Sequence, residues 1–173
     1  MTVLVTAASK HGATREIAQT IARVLDQHGV SAELVGIDEL SDLARYDAVV
    51  LGSAVYLGKW RKEAKRFVEA HADELARRPT WLFSSGPIVS DPPRPDEPAD
   101  RAQGDMLAET VHAREHKLFA GTLDKSKLNI VEKAAVHVAH SREGDHRDWL
   151  AIDNWAAVIA RELQQNRYVE KGR

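Results

Sequence analysis

The sequence predicts an α/β fold: a doubly wound parallel sheet of five strands, with helices on both faces. Three observations carry this. Short apolar runs alternate with stretches of helical periodicity, the pattern of strands joined by crossover helices. Runs such as Val3-Leu4-Val5 and Ala48-Val49-Val50-Leu51 call for a sheet covered on both faces. The first of them breaks into a small polar loop that leads straight into a helix, an arrangement that surrounds an anion with backbone N–H groups and the positive end of a helix dipole. The 173 residues, 43% hydrophobic and 29% charged, suffice for one buried core.

The elements follow in order. Strands are expected at 2–6, 31–36, 47–52, 81–85 and 117–122, and helices at 13–28, 59–76, 105–113, 125–140 and 153–165. Gly29 closes the first helix as a C-terminal cap, and Asp153 stands where the last helix wants an N-cap. Residues 1–165 form a single domain, followed by a short polar tail, 166–173, expected to be mobile. Two insertions stand out, near 87–104 and 125–150. The first begins with a crowd of prolines and acidic residues, which suits a surface excursion. In the second, Leu128, Val131, Ala135 and Val138 fall at helical spacing and form one apolar face.

The first loop, Ser9-Lys10-His11-Gly12-Ala13-Thr14, is a candidate phosphate cradle, because Gly12 lets the backbone approach closely and the hydroxyls can hydrogen-bond. It lacks the Lys-Ser/Thr ending of a nucleoside triphosphate loop and the spaced glycines of a dinucleotide fingerprint, so those cofactors are disfavoured. His11 is placed either to donate to the phosphate or to sit as a partly exposed loop residue, and Lys10 adds positive potential or keeps its head in water. A second small-residue loop, Ser53-Ala54-Val55-Tyr56-Leu57-Gly58, follows the third strand. Tyr56 there either stacks on a flat ligand or starts the next helix against the core. A third, Ser84-Ser85-Gly86-Pro87, ends the fourth strand, where a turn alone also accounts for the residues. Loops leaving the carboxyl ends of neighbouring strands meet at the topological switch point of such a sheet.

The first two loops resemble those of the flavodoxins, although Ala8 and Ala13 stand where that family has a hydroxyl and often asparagine. The resemblance implies strand order 2-1-3-4-5 and FMN as cofactor: phosphate in the first loop, isoalloxazine against Tyr56, pyrimidine end at the third loop. Within that superfamily the chain is similar to the menaquinone-dependent protoporphyrinogen IX dehydrogenases of haem biosynthesis. The similarity runs through Gly12-Ala13-Thr14-Arg15-Glu16-Ile17-Ala18, Tyr46-Asp47-Ala48-Val49-Val50-Leu51-Gly52-Ser53, Phe67-Val68-Glu69-Ala70-His71, Gly121-Thr122-Leu123 and Asp153-Asn154-Trp155. It implies an FMN-dependent oxidoreductase acting with a quinone and a porphyrin-like substrate, or with a redox partner. Two alternatives stay open: an electron carrier for another redox enzyme, and an interaction protein without flavin.

Other functions find less support. Without cysteine there is no disulfide, thiolate nucleophile or iron–sulfur cluster. A net charge of −2 gives no footprint for nucleic acid. No apolar run is long enough for a transmembrane segment and no signal peptide is visible, so a cytoplasmic location is expected. Peripheral membrane contact is disfavoured because the insertion's apolar face is largely alanine and valine. Ser9 and Thr14 lack a nucleophile elbow and a recognisable histidine and acid. The pairs His112/His116 and His137/His140 have the spacing of metal ligands, but solvated surface histidines explain them better, and no metal is expected. Leu57, where a shuttling flavodoxin often carries glycine, resists a peptide flip to positive φ and points to two-electron chemistry.

Overall fold

The computed structural model describes residues 1–56, 58–86, 98–123 and 144–171. In chain order the elements are β1 (Thr2–Ala8), α1 (Ala13–Gln27), β2 (Ser31–Leu34), a 3-10 turn (Leu43–Arg45), β3 (Ala48–Tyr56), β4 (Lys59–Trp60), α2 (Lys62–Ala70), α3 (Ala72–Ala76), β5 (Thr80–Gly86), α4 (Pro98–Thr110), β6 (Glu115–Ala120), β7 (Thr122–Leu123), β8 (Gly144–Asp145) and α5 (Trp149–Lys171). The main sheet runs β2-β1-β3-β5-β6 and these five strands are parallel. With the short antiparallel β4 set aside, this is the expected 2-1-3-4-5 order.

Side-chain alternation sorts the strands between two cores. Val3, Val5, Val50, Trp81 and Phe83 pack with Ile17, Ile21 and Leu25 of α1 and with Ile152, Trp155 and Ile159 of α5. Leu4, Val49, Leu51 and Leu82 face Phe67, Leu75 and Leu107 on α2, α3 and α4. Helix α1 ends in a Schellman motif: Gly29, at φ +74°, donates its N–H to the Asp26 carbonyl at 2.9 Å, and Val30 donates to the Leu25 carbonyl at 3.0 Å.

Several boundaries differ from the sequence expectation, each for a local reason. Strand β3 continues to Tyr56, so Ser53, Ala54 and Val55 are buried sheet residues rather than a loop. The chain then turns back as β4, with Val55 opposite Trp60 and Tyr56 opposite Lys59, so the helix expected from Lys59 starts at Lys62 and breaks at His71. The last helix starts at Trp149, because Asp148 caps it by accepting the Ala151 N–H at 2.9 Å. Asp153 is instead inside that helix and pairs with Arg23 of α1 at 3.1 Å. No glycine or proline interrupts the chain before Gly172, and the helix runs past Gln165 to Lys171. Helix α4 begins at Pro98, a residue suited to a first helical position, and ends at Thr110. The expected helix at 125–140 and most of the proline-rich stretch lie outside the described residues. Among the described residues, no helix is long and apolar enough to cross a membrane.

Candidate functional site

The first loop is built by its own short side chains. Ser9 Oγ accepts the Gly12 N–H at 3.1 Å, and the Gly12 carbonyl accepts the Glu16 N–H at 3.0 Å, closing the first turn of α1. Gly12 has φ +92°, and a Cβ at this position would meet nothing within 4 Å, so the loop leaves open space in front of the glycine. The first N–H groups of α1 have no carbonyl one turn back and carry the positive end of its dipole. Ala13 opens this helix and Thr14 is buried in its first turn, while Lys10 is exposed. His11 Nε2 is buried without a hydrogen-bond partner. A polar nitrogen in that condition is costly unless something pairs with it.

The second expected loop is the end of a hairpin. The Ser53 hydroxyl donates to the Ala54 carbonyl at 2.9 Å and accepts the Arg61 N–H at 2.9 Å, which fixes the return of the chain into α2. Gly58 takes φ +70° at the turn, and Leu57 lies outside the described residues. Tyr56, half-buried, meets the ring of His11 edge to face with centroids 6.5 Å apart. The first and second loops therefore touch through the two side chains that the sequence marks as aromatic or titratable.

The third strand end lies beside the second. Ser53 and Ala54 are in register with Ser84 and Ser85, and Ala8 with Ser53, so all three candidate segments leave the same edge of the sheet. Ser85 is buried; the Gly86 carbonyl accepts the Gly121 N–H at 2.7 Å, and Gly86 sits where a Cβ would come within 3.2 Å of Val55. Pro87 lies outside the described residues. On the β2 side of this edge a cleft of about 230 Å³ is lined by Ser9, Arg15, Ile37, Glu39, Arg61 and Glu63.

Beneath the hairpin runs a polar chain that sequence reading missed. The Trp60 indole N–H donates to Ser84 Oγ at 2.7 Å; Ser84 Oγ lies 2.8 Å from His116 Nε2, and His116 Nδ1 lies 2.7 Å from Asp105 Oδ1. With Trp60 a pure donor, the consistent proton arrangement has Ser84 donating to Nε2 and Nδ1–H donating to the carboxylate. Burial pushes the His116 pKa below its ordinary value, against the opposing pull of Asp105. A histidine and an acid thus do stand in line with a serine. Ser84 is fully buried, however, and the array braces the hairpin rather than presenting a nucleophile. The expectation of solvated histidines fails at His116, which is on β6 and buried, with Gly104 leaving room for its ring. Nor is it one helical turn from His112, which lies beyond α4 at φ +49°. His137 and His140 lie outside the described residues, among which no group of three or more potential ligands is placed to hold a metal.

Arg147 is the other residue that no pattern in the sequence marks. Its guanidinium bonds Asp145 through Nε at 2.8 Å and Nη2 at 2.7 Å, reaches Glu16 through Nη1 at 2.6 Å, and donates to the Ala13 carbonyl at 3.2 Å. It stacks over Trp149, 4.4 Å from the ring centroid. The junction of the first loop with α1 is therefore held by a residue far along the chain, and no local pattern reveals a contact of that separation.

A family model described as a flavodoxin domain matches residues 4–149. Protoporphyrinogen IX dehydrogenase [quinone] of Escherichia coli strain K12 is 24% identical over 172 residues, covering 92% of this chain and 95% of that protein. Among solved structures, a mutant flavodoxin from Pseudomonas aeruginosa superposes with TM-score 0.58 at 19% identity, covering 95% of this chain and 99% of that one. Flavodoxin 1 from Bacillus cereus gives TM-score 0.54 at 20% identity, covering 81% and 95%.

Proposed function

This chain belongs to the flavodoxin-domain family, and on that premise we propose that it is an FMN-dependent oxidoreductase acting between a porphyrinogen-like donor and a quinone. The observation that carries the cofactor is the pairing of an open, left-handed Gly12 at the start of α1 with the unpartnered Nε2 of His11, in ring contact with Tyr56. A phosphate ester suits the Ser9 to Thr14 loop, whose N–H groups and dipole favour an anion, and it gives His11 Nε2 a partner. Tyr56 supplies a face for the isoalloxazine and Gly58 the turn that presents it, while Ser85 and Gly86, both paired within the sheet, fix where the third strand end meets the ring's polar edge. When bound, the flavin supplies reversible electron transfer, and the protein supplies position and electrostatics.

The choice of substrates is supported by the match along nearly the whole length of the Escherichia coli dehydrogenase. In the net reaction the hydrogen lost by the porphyrinogen appears in the quinol. The test is anaerobic turnover by the FMN-loaded protein, with protoporphyrinogen IX as donor and a menaquinone as acceptor. Porphyrin fluorescence that rises in proportion to quinol supports the enzyme. Reduction by a flavodoxin reductase without porphyrin formation contradicts it in favour of an electron carrier.

A further inference from the structure

We infer that Arg147 is a positioning residue for phosphate affinity in the first loop, acting by neutralising Glu16 and fixing the Ala13 carbonyl. This inference rests on the FMN reading above. Glu16 lies in the first turn of α1, where a carboxylate interacts favourably with the helix dipole. The same position sets it against any phosphate bound at that helix end, since like charges compete for one positive pole. Arg147 removes the conflict. Its Nη1 contacts Glu16 Oε2 at 2.6 Å; the Arg147 side chain is 7% exposed and that of Glu16 55%, so the guanidinium is held inside while the carboxylate it neutralises faces solvent.

The guanidinium is itself over-determined. Asp145 takes it in a two-pronged grip, and the Trp149 ring covers one face. The Asp145 end is tied to β7 by pairing with Thr122, and the His146 N–H bonds the Gly121 carbonyl at 3.2 Å. Gly121 in turn donates to Gly86 at the third strand end. Arg147 thus sits where the supports of the first and third segments converge, and its bond to Ala13 holds the loop-to-helix junction in register with both. Removing the charge frees Glu16 beside the phosphate and loosens the junction; lysine keeps the charge but loses the fork.

The experiment compares binding of FMN and riboflavin, which differ by the phosphate, to the wild-type protein and to Arg147→Gln, Arg147→Lys and Arg147→Gln/Glu16→Gln. The expected result is a rise of about ten-fold or more in the FMN Kd for Arg147→Gln, with riboflavin changed by less than about two-fold. Arg147→Lys should be intermediate, and adding Glu16→Gln should recover the part of the lost FMN affinity that comes from the freed carboxylate, leaving the part that comes from the Ala13 bond. Equal weakening of both ligands, no weakening of FMN, or no recovery with Glu16→Gln would overturn the inference while leaving the FMN reading in place. A wild-type protein that binds neither flavin would overturn both.

Discussion

The hydroxyl of Ser84 and Nε2 of His116 lie 2.8 Å apart between strands β5 and β6, both side chains buried, with Trp60 donating from one end and Asp105 accepting at the other. The line is fully paired while His116 is neutral and Ser84 donates to Nε2; protonation would turn Nε2 into a donor and take from the Ser84 hydroxyl hydrogen its acceptor. The line joins β4, β5, β6 and α4, and so braces the hairpin that carries Tyr56.

The same geometry makes stability depend on pH. His116 has its folded-state pKa lowered by burial, from an ordinary value of 6.5. Below the unfolded pKa the unfolded chain therefore binds the proton more readily than the folded one. The contribution to stability is full above about pH 6.5 and is lost as pH falls from there through the lower folded pKa. Thermal midpoints measured from neutral pH downward should fall in this window, and His116→Gln should flatten that part of the profile.

Trp60→Phe keeps an aromatic ring, smaller than the indole, but removes the indole N–H, leaving the Ser84 oxygen one donor short in a buried site. A loss of about 1–3 kcal/mol in unfolding free energy is expected from urea titration. Because Trp60 pairs with Val55 next to Tyr56, exchange of the hairpin amides with solvent should quicken by more than that of α1.

Gly52→Ala tests the packing of β3. A Cβ at this position would lie 2.0 Å from the Phe83 ring, which is itself fully buried against Phe119 and Trp155. Overpacking of this kind costs about 1–3 kcal/mol or more, and the variant should unfold at correspondingly lower denaturant.

Gly12→Ala isolates backbone strain. The space beside Gly12 is open, so the cost comes from φ +92° alone, on the order of 1–2 kcal/mol for a residue with a Cβ. The variant should remain folded while its loop relaxes, and FMN affinity should drop further than global stability does.

Much of the fold was legible from the sequence because burial on both faces forces long apolar runs. Val3 to Val5, Ala48 to Leu51 and Trp81 to Phe83 each read directly as strands, and Gly29 as a helix end. The strand ends were harder. Ser53 and Ala54 read as a loop because small residues are common in turns, whereas both are buried in β3, where Ser53 accepts the N–H of the returning Arg61 and the preceding Gly52 leaves room for the Phe83 ring. Trp60 reads as part of a helix until its bond to Ser84 is seen. The three candidate segments were legible as chain leaving neighbouring strands, and the meeting of the first two through His11 and Tyr56 follows from the strand order. Arg147 and His116 were not legible, since the contacts of Arg147 with Glu16 and Ala13 and of His116 with Ser84 join segments remote in the chain and depend on the packed arrangement.

Whether the three strand ends form one flavin site is read from titration of FMN into the purified wild-type protein and into Tyr56→Ala. One site built from all three quenches flavin fluorescence stoichiometrically in the wild-type protein and binds clearly more weakly in the variant. An absence of binding at micromolar FMN, or identical binding by both proteins, would contradict it.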